Sequence, residues 1–219
     1  MKKVYGVFDL VQTEKRLDFE GIYAINCNLL NCTKGDFKIM FSDDPNKYGI
    51  SVSGSAEAQN SPEIQVITTP QVYSINIEQD RPYSEGLLHI TLVLPKRKFN
   101  ALNVQGNIME YNIDGGEFTH INLSNKKGKI FVNIKSHHVC LFSKYYPITA
   151  AVELTGKSLL QVGSELGDVK VILTNAGQVL MKQPQPKRFI SRLAHNSSGF
   201  DVNMYFIGEM QGKYTVIQR

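Results

Sequence analysis

The chain has 219 residues, 42% hydrophobic and 20% charged, a balance that excludes intrinsic disorder and leaves room for a large core. Its net charge of +4 is too mild for a dedicated nucleic-acid binder but suits weak attraction to anionic polymers.

The N-terminal segment has Lys2 and Lys3 but no apolar signal region, because Asp9, Gln12 and Glu14 interrupt it. No window approaches the length of apolar residues a spanning helix needs. As written, the chain reads as cytoplasmic, and as a cell-envelope protein if an export signal has been trimmed away. Cys27, Cys32 and Cys140 make an odd set, so reduced, buried thiols are expected.

Residues 4–11 are short, apolar and β-prone, whereas 18–34 is ambiguous between strand and loop. Phe37, Ile39 and Phe41 alternate with Lys38 and Met40, the period of a half-buried strand. A turn cluster, DDPNKYG, precedes Ile50 and Val52, and SGSAEAQNSPE reads as a surface loop. Strands follow at 64–69 and 72–78, with EQDRPYSEG as the next loop.

The pattern sharpens at Leu88. Leu88, Ile90, Leu92 and Leu94 share one face, and Pro95 ends the strand because it has no N–H for a ladder. Very short strands are then predicted near 99–104, 108–113, 118–123, 129–134, 139–142, 148–154, 158–162, 168–173, 178–181, 189–193, 200–206 and 213–217. No segment has a helical stripe.

Repeats bear on the architecture. Gly35-Asp-Phe-Lys-Ile39, Gly128-Lys-Ile-Phe-Val132 and Gly167-Asp-Val-Lys-Val171 share the form G-x-x-x-V/I, with Gly199-Phe-Asp-Val202 a looser copy. Each follows a polar run, NCTK, SNKK, GSEL or HNSS. A glycine corner followed by an alternating strand buries its apolar side only when successive rungs stack. The expected fold is all-β: stacked short strands in a β-solenoid (β-helix-like) with a β-rich N-terminal part. A β-sandwich or jelly roll fits the same spacing. One continuous domain, 1–219, is expected, with longer strands and loops in 1–95 and short Gly-cornered rungs in 96–219.

On these residues the chain resembles the bacterial putative-adhesin family of the DUF4097 type. The resemblance is carried by Leu92–Pro95, Lys96–Lys98, Leu102–Val104, Gly106–Ile108, Gly128–Val132 and Gly167–Val171. It implies a stacked β fold and brings no catalytic residues.

The residues themselves carry little chemistry. His137, His138 and Cys140 are the densest group of metal-ligand types, and Cys27 with Cys32 would have to join them to complete a zinc site. Alternation places His137 and His138 on opposite faces, so the reading is a buried thiol beside an exposed histidine, with no metal and no cofactor. The carboxylates Asp114, Glu117, Glu153, Glu165, Asp168 and Asp201 mostly flank glycine turns, where turn chemistry accounts for them. No nucleophile elbow, phosphate loop or zincin motif is present. Lys96, Arg97 and Lys98, then Lys126, Lys127 and Lys129, sit near corners, as do Lys182, Lys187, Arg188 and Arg192. Aligned in a stack, such corners form a positive edge able to attract an acidic polysaccharide or another envelope polymer; otherwise they serve solubility and keep strand edges from pairing.

The function expected is therefore a non-catalytic scaffold or binding module for an acidic polysaccharide or another protein, with no nucleic acid and no membrane span. An intracellular self-assembling structural protein is the alternative, and a degenerate carbohydrate-active enzyme the third reading. Self-association is expected through the terminal strands, because QGKYTVIQR ends the chain with a β-prone strand and no capping helix.

Overall fold

A computed structural model describes residues 6–12, 24–30, 32, 35–45, 47–56, 63–69, 71–78, 87–107, 109–194 and 196–219. Among them are sixteen strands and no helix. The strands coil between two faces, two strands per turn, and those of successive coils pair in parallel. The first face holds β1 (Gly6–Gln12), β3 (Gly35–Ser42), β4 (Gly49–Ala56), β7 (Leu88–Pro95), β12 (Val169–Thr174), β14 (Arg188–Arg192) and β16 (Lys213–Gln218). The second holds β2 (Ala24–Leu30), β5 (Glu63–Thr68), β6 (Val72–Glu78), β8 (Lys98–Gly106), β13 (Ala176–Met181) and β15 (Phe200–Phe206). β9 (Glu110–Asn125), β10 (Ile130–Ser143) and β11 (Ile148–Ser164) run across both.

The first face reads β1-β4-β7-β3-β9-β10-β11-β12-β16-β14, and the second β5-β6-β2-β8-β9-β10-β11-β15-β13. This is an all-β, solenoid-like fold. The expectation of uniformly short strands after Pro95 fails, because β9, β10 and β11 have 16, 14 and 17 residues. They stay continuous by bending. β9 turns at Gly115 and Gly116, with φ of 93° and 86°, a region open to glycine at little cost. In β10 the register slips between Ser136 and His138, and β11 takes up extra residues between Leu154 and Leu159.

Period-two alternation fills the interior. Tyr111, Ile130, Ile148, Val169 and Tyr214 form one in-register row on the first face. Leu102, Ile121, Val139, Leu160 and Met204 form another on the second. All are buried, and each large aliphatic side chain there contributes about 1.5–3 kcal/mol relative to exposure.

Both ends of the stack are interleaved. The β2–β3 coil lies between β6–β7 and β8–β9, although β6 and β7 come later in sequence. Beyond it β4 and β5 pair antiparallel with β7 and β6, and β1 with β4. At the other end β15 inserts between β11 and β13, and β16 between β12 and β14. The C-terminal strand is thus paired on both sides, and the exposed terminal rung expected there is not formed. Among the described residues the edge strand of the first face at this end is β14, which has five residues and Arg188 and Arg192 at its ends. Pro184 and Pro186 lie in the segment leading to it. Charge, shortness and nearby proline all discourage a further strand from pairing.

Candidate functional site

The coils turn at two edges. At the return edge the chain passes from second face to first, and three successive turns are built alike. Each begins at a buried polar residue, Asn125, Ser143 or Ser164, which lie side by side in register. The side-chain oxygen of each accepts a backbone N–H from its own turn: Lys127 on Asn125 (3.3 Å), Tyr146 on Ser143 (3.2 Å) and Gly167 on Ser164 (2.8 Å). Each side chain also donates to the preceding coil's turn, at the carbonyls of Met109, Gly128 and Tyr146. Glycine is needed where coils touch: a Cβ at Gly128 would lie 2.0 Å from Met109 O, and one at Gly167 2.3 Å from Tyr146 O. The polar runs before Gly128 and Gly167, SNKK and GSEL, supply this device.

Lys126, Lys127 and Lys129 project from the return edge, where Lys129 pairs with Glu110 at 3.2 Å. Lys126 and Lys127 are exposed, with no ion pair among the described residues. Lys96, Arg97 and Lys98 occupy the forward edge, where β7 passes to β8. The two basic trios therefore sit on opposite edges of the coil, and the structure does not bring them together.

The forward edge carries a groove of about 570 Å³, lined by Lys96, Arg97, Lys98, Lys135, Glu117 and Glu153 with glycines at its bend. Lys98, Glu117, Lys135 and Glu153 lie in register across four strands, and Lys98–Glu117 (3.2 Å) and Lys135–Glu153 (3.0 Å) pair. Lys96 reaches Asp43 at 3.0 Å. The Arg97 guanidinium lies 5.5 Å from the Phe99 ring centroid, and that ring stacks on Phe118. These ion pairs are largely exposed and hold the side chains only weakly. Lys135 was missed in sequence because its basic neighbours are contributed by another coil.

The remaining candidate ligands do not converge. Cys27 and Cys32 are buried, and Cys32 Sγ donates to Ile77 O at 3.6 Å. Burial pushes the Cys32 thiol up to about 12, helped by the Glu78 charge, and burial raises Cys27 as well. Cys140 is not the buried thiol expected beside the histidines: it lies half-exposed on the outer surface of the second face, in register with Asn122 and Gln161. His137 and His138 are not on opposite faces, since the slip in β10 stacks their rings at 4.6 Å and 3°. His120 stacks on His138 from the neighbouring strand at 4.9 Å. Desolvation lowers the His138 pKa, with His137 and His120 adding to the effect. Its Nδ1 accepts the Leu159 N–H at 3.2 Å. No group of three or more His, Cys, Asp or Glu side chains among the described residues could hold a metal ion, and no helix there is long and apolar enough to cross a membrane.

The carboxylates are engaged structurally. Glu117, Glu153 and Glu165 face Lys98, Lys135 and Lys144. Asp114 accepts from Asn133, Asp168 from the Lys213 N–H and Asp201 from the Gln178 N–H.

No family model matches the chain, and no curated protein matches it. Solved structures do. A "putative cell adhesion protein" from Clostridium sporogenes is similar at 14% identity and a TM-score of 0.55, covering 98% of this chain and 100% of that one. A "putative adhesin" from Bacteroides fragilis aligns at 12% identity and a TM-score of 0.42, covering 100% and 98%. Another from Parabacteroides merdae aligns at 10% and 0.36, covering 99% and 97%. The first of these likenesses shows that the whole chain shares the fold of the Clostridium protein.

Proposed function

We propose that the chain is a non-catalytic binding module of the bacterial adhesin kind, belonging with the DUF4097-type proteins, and that it takes an acidic polymer such as an anionic glycan along its forward-edge groove. The observation that carries this reading is the groove itself, where Lys96, Arg97, Lys98 and Lys135 outnumber Glu117 and Glu153. An open channel lined by flexible ammonium groups suits a repeating anionic chain better than a small substrate. The whole-length likeness to a structure named for cell adhesion supports the binding role. The structural partners of the carboxylates support the absence of catalysis. Lys126, Lys127 and Lys129 form a second cationic patch on the other edge, which a long polymer would meet separately. In this reading residues 1–219 form one continuous domain, so unfolding should show a single transition.

The test is retardation in gels containing polygalacturonate. Retardation should weaken as salt rises and should fall in Lys96→Glu/Lys98→Glu. Equal retention of both proteins would contradict the reading.

A further inference from the structure

The two faces of the coil differ in chemistry. Between its edges the first face carries Lys38 and Lys170 at outward positions, and Asp36, Glu110, Lys135 and Glu153 stand at its margins. On the second face the charged positions, Lys98, Glu117, Lys157 and Asp201 toward the forward edge and Glu78 toward the return edge, lie at the margins, and none stands between. The outward positions are 74 and 76 on β6, 24, 26 and 28 on β2, and 101, 103 and 105 on β8. On β9, β10, β11 and β15 they are 120, 122 and 124, 138, 140 and 142, 159 and 161, and 203 and 205. They hold no Asp, Glu, Lys or Arg. A patch this large without charge is unusual on a chain that is 20% charged.

Carboxamides dominate its first half. Asn26, Asn103 and Asn122 form one in-register column, and Asn76, Asn28 and Gln105 form the next. Strand geometry sets the lattice at about 4.8 Å between rungs and about 6.7 Å between columns. The amides are joined head to tail: Gln105 donates to Asn28 (2.7 Å), Asn28 to Asn76 (2.6 Å), and Asn103 to Asn26 (2.8 Å). Each carboxamide has two N–H donors and an oxygen with two lone pairs. Asn28 therefore keeps one donor and one acceptor site unused, although held in place by both neighbours. These groups, with Ser74 and Ser124, line an open cleft of about 400 Å³ flanked by the exposed side chain of Ile67. The stacked rings of His120 and His138 stand one column away.

We propose that this face is a binding surface for a neutral, hydroxyl-rich polysaccharide. A sugar hydroxyl is both donor and acceptor, as each carboxamide is, and its neutral chain brings no charge to be desolvated against the amides. Fixed amides bind without further loss of side-chain freedom, while Ile67 and the imidazole rings offer apolar surface to the sugar rings. A polyanion would find no cation here. The surface is separate from the forward-edge groove, and its assignment does not depend on the proposed acidic ligand.

The full chain is run through gels containing dextran, a mixed-linkage β-glucan or a galactomannan. Retardation by a neutral polymer is expected, and it should persist as salt rises, because no ion pair is made. Asn103→Ala/Gln105→Ala should weaken it roughly tenfold, while Lys170→Ala on the opposite face leaves it unchanged. Lys96→Glu/Lys98→Glu should also leave it unchanged, so that failure of either binding assignment is seen without the other. No retardation in any of the three gels would overturn the proposal, as would retardation abolished by salt. If the amides serve only to hold the stack, the double variant lowers the thermal midpoint and leaves retardation intact, which also overturns it.

Discussion

Tyr214 and Ser164, fifty residues apart, exchange two hydrogen bonds: the Tyr214 hydroxyl donates to Ser164 O at 2.7 Å and accepts the Ser164 N–H at 2.7 Å. The ring is fully buried, so a side chain of β16 supplies the backbone partners that the end of β11 needs. Tyr111 likewise donates to Ser124 O at 3.0 Å.

Tyr214→Phe keeps the ring and strips both bonds, leaving a buried N–H and C=O unpaired. Unpaired buried groups cost about 1–3 kcal/mol each, so the variant should lose roughly 2–3 kcal/mol in urea unfolding. A loss under about 0.5 kcal/mol would mean that water or another group replaces the hydroxyl.

Glycines at the two edges should respond differently to alanine. At Gly167 a Cβ would meet the Tyr146 backbone at 2.3 Å, so Gly167→Ala must push coils apart, at a cost of roughly 3 kcal/mol or more. At Gly115 the nearest atom is a Phe41 ring carbon at 3.5 Å, and only the positive φ of 93° opposes a side chain. Gly115→Ala should cost about 1–2 kcal/mol. Equal thermal shifts would contradict the close stacking at the return edge.

The buried thiols and phenols predict alkaline lability. In the folded chain the Cys32 thiol is raised from 9.0 to about 12, and Cys27, Tyr111 and Tyr214 are also raised by burial. The folded state thus binds more protons than the unfolded state above pH 9. Stability present below that pH is lost as pH rises toward 12, with a limiting slope of about 1.4 kcal/mol per pH unit for each group. Urea midpoints from pH 8 to 11 should fall, and less steeply in Cys32→Ala. A flat profile would show that the thiol ionises freely in the folded chain.

Acid titration of the imidazoles gives a separate check. His138 is desolvated and lies against His137 and His120. Its NMR midpoint should lie below 6.5 and rise in His137→Ala/His120→Ala. An unchanged, ordinary midpoint would contradict the stacked arrangement.

Much of the fold was legible in the sequence because alternation and glycine spacing are local. Leu88, Ile90, Leu92 and Leu94 are all buried, and Pro95 ends β7. The bends were not legible. A strand that turns at Gly115–Gly116 has the same composition as two strands joined by a tight loop. The slip that stacks His137 on His138 arises from pairing with β11, which no short window contains. Interleaving is non-local as well, since Tyr214 is a core residue because of its position between Val169 and Phe189. The basic trios were visible, but their separation onto opposite edges depends on which face each turn leaves. The carboxamide columns were hidden because Asn26, Asn103 and Asn122 come from three coils.

Both proposed surfaces exist only if the coils stack in this interleaved order, and hydrogen exchange tests that order most directly. β16 is paired with both β12 and β14, whereas β14 has β16 as its one strand neighbour among the described residues. Amides of Lys213–Gln218 should therefore exchange far more slowly than those of Arg188–Arg192. If the last strand exchanges as fast as β14 or faster, it lies at the end of the stack, and the interleaved solenoid is wrong.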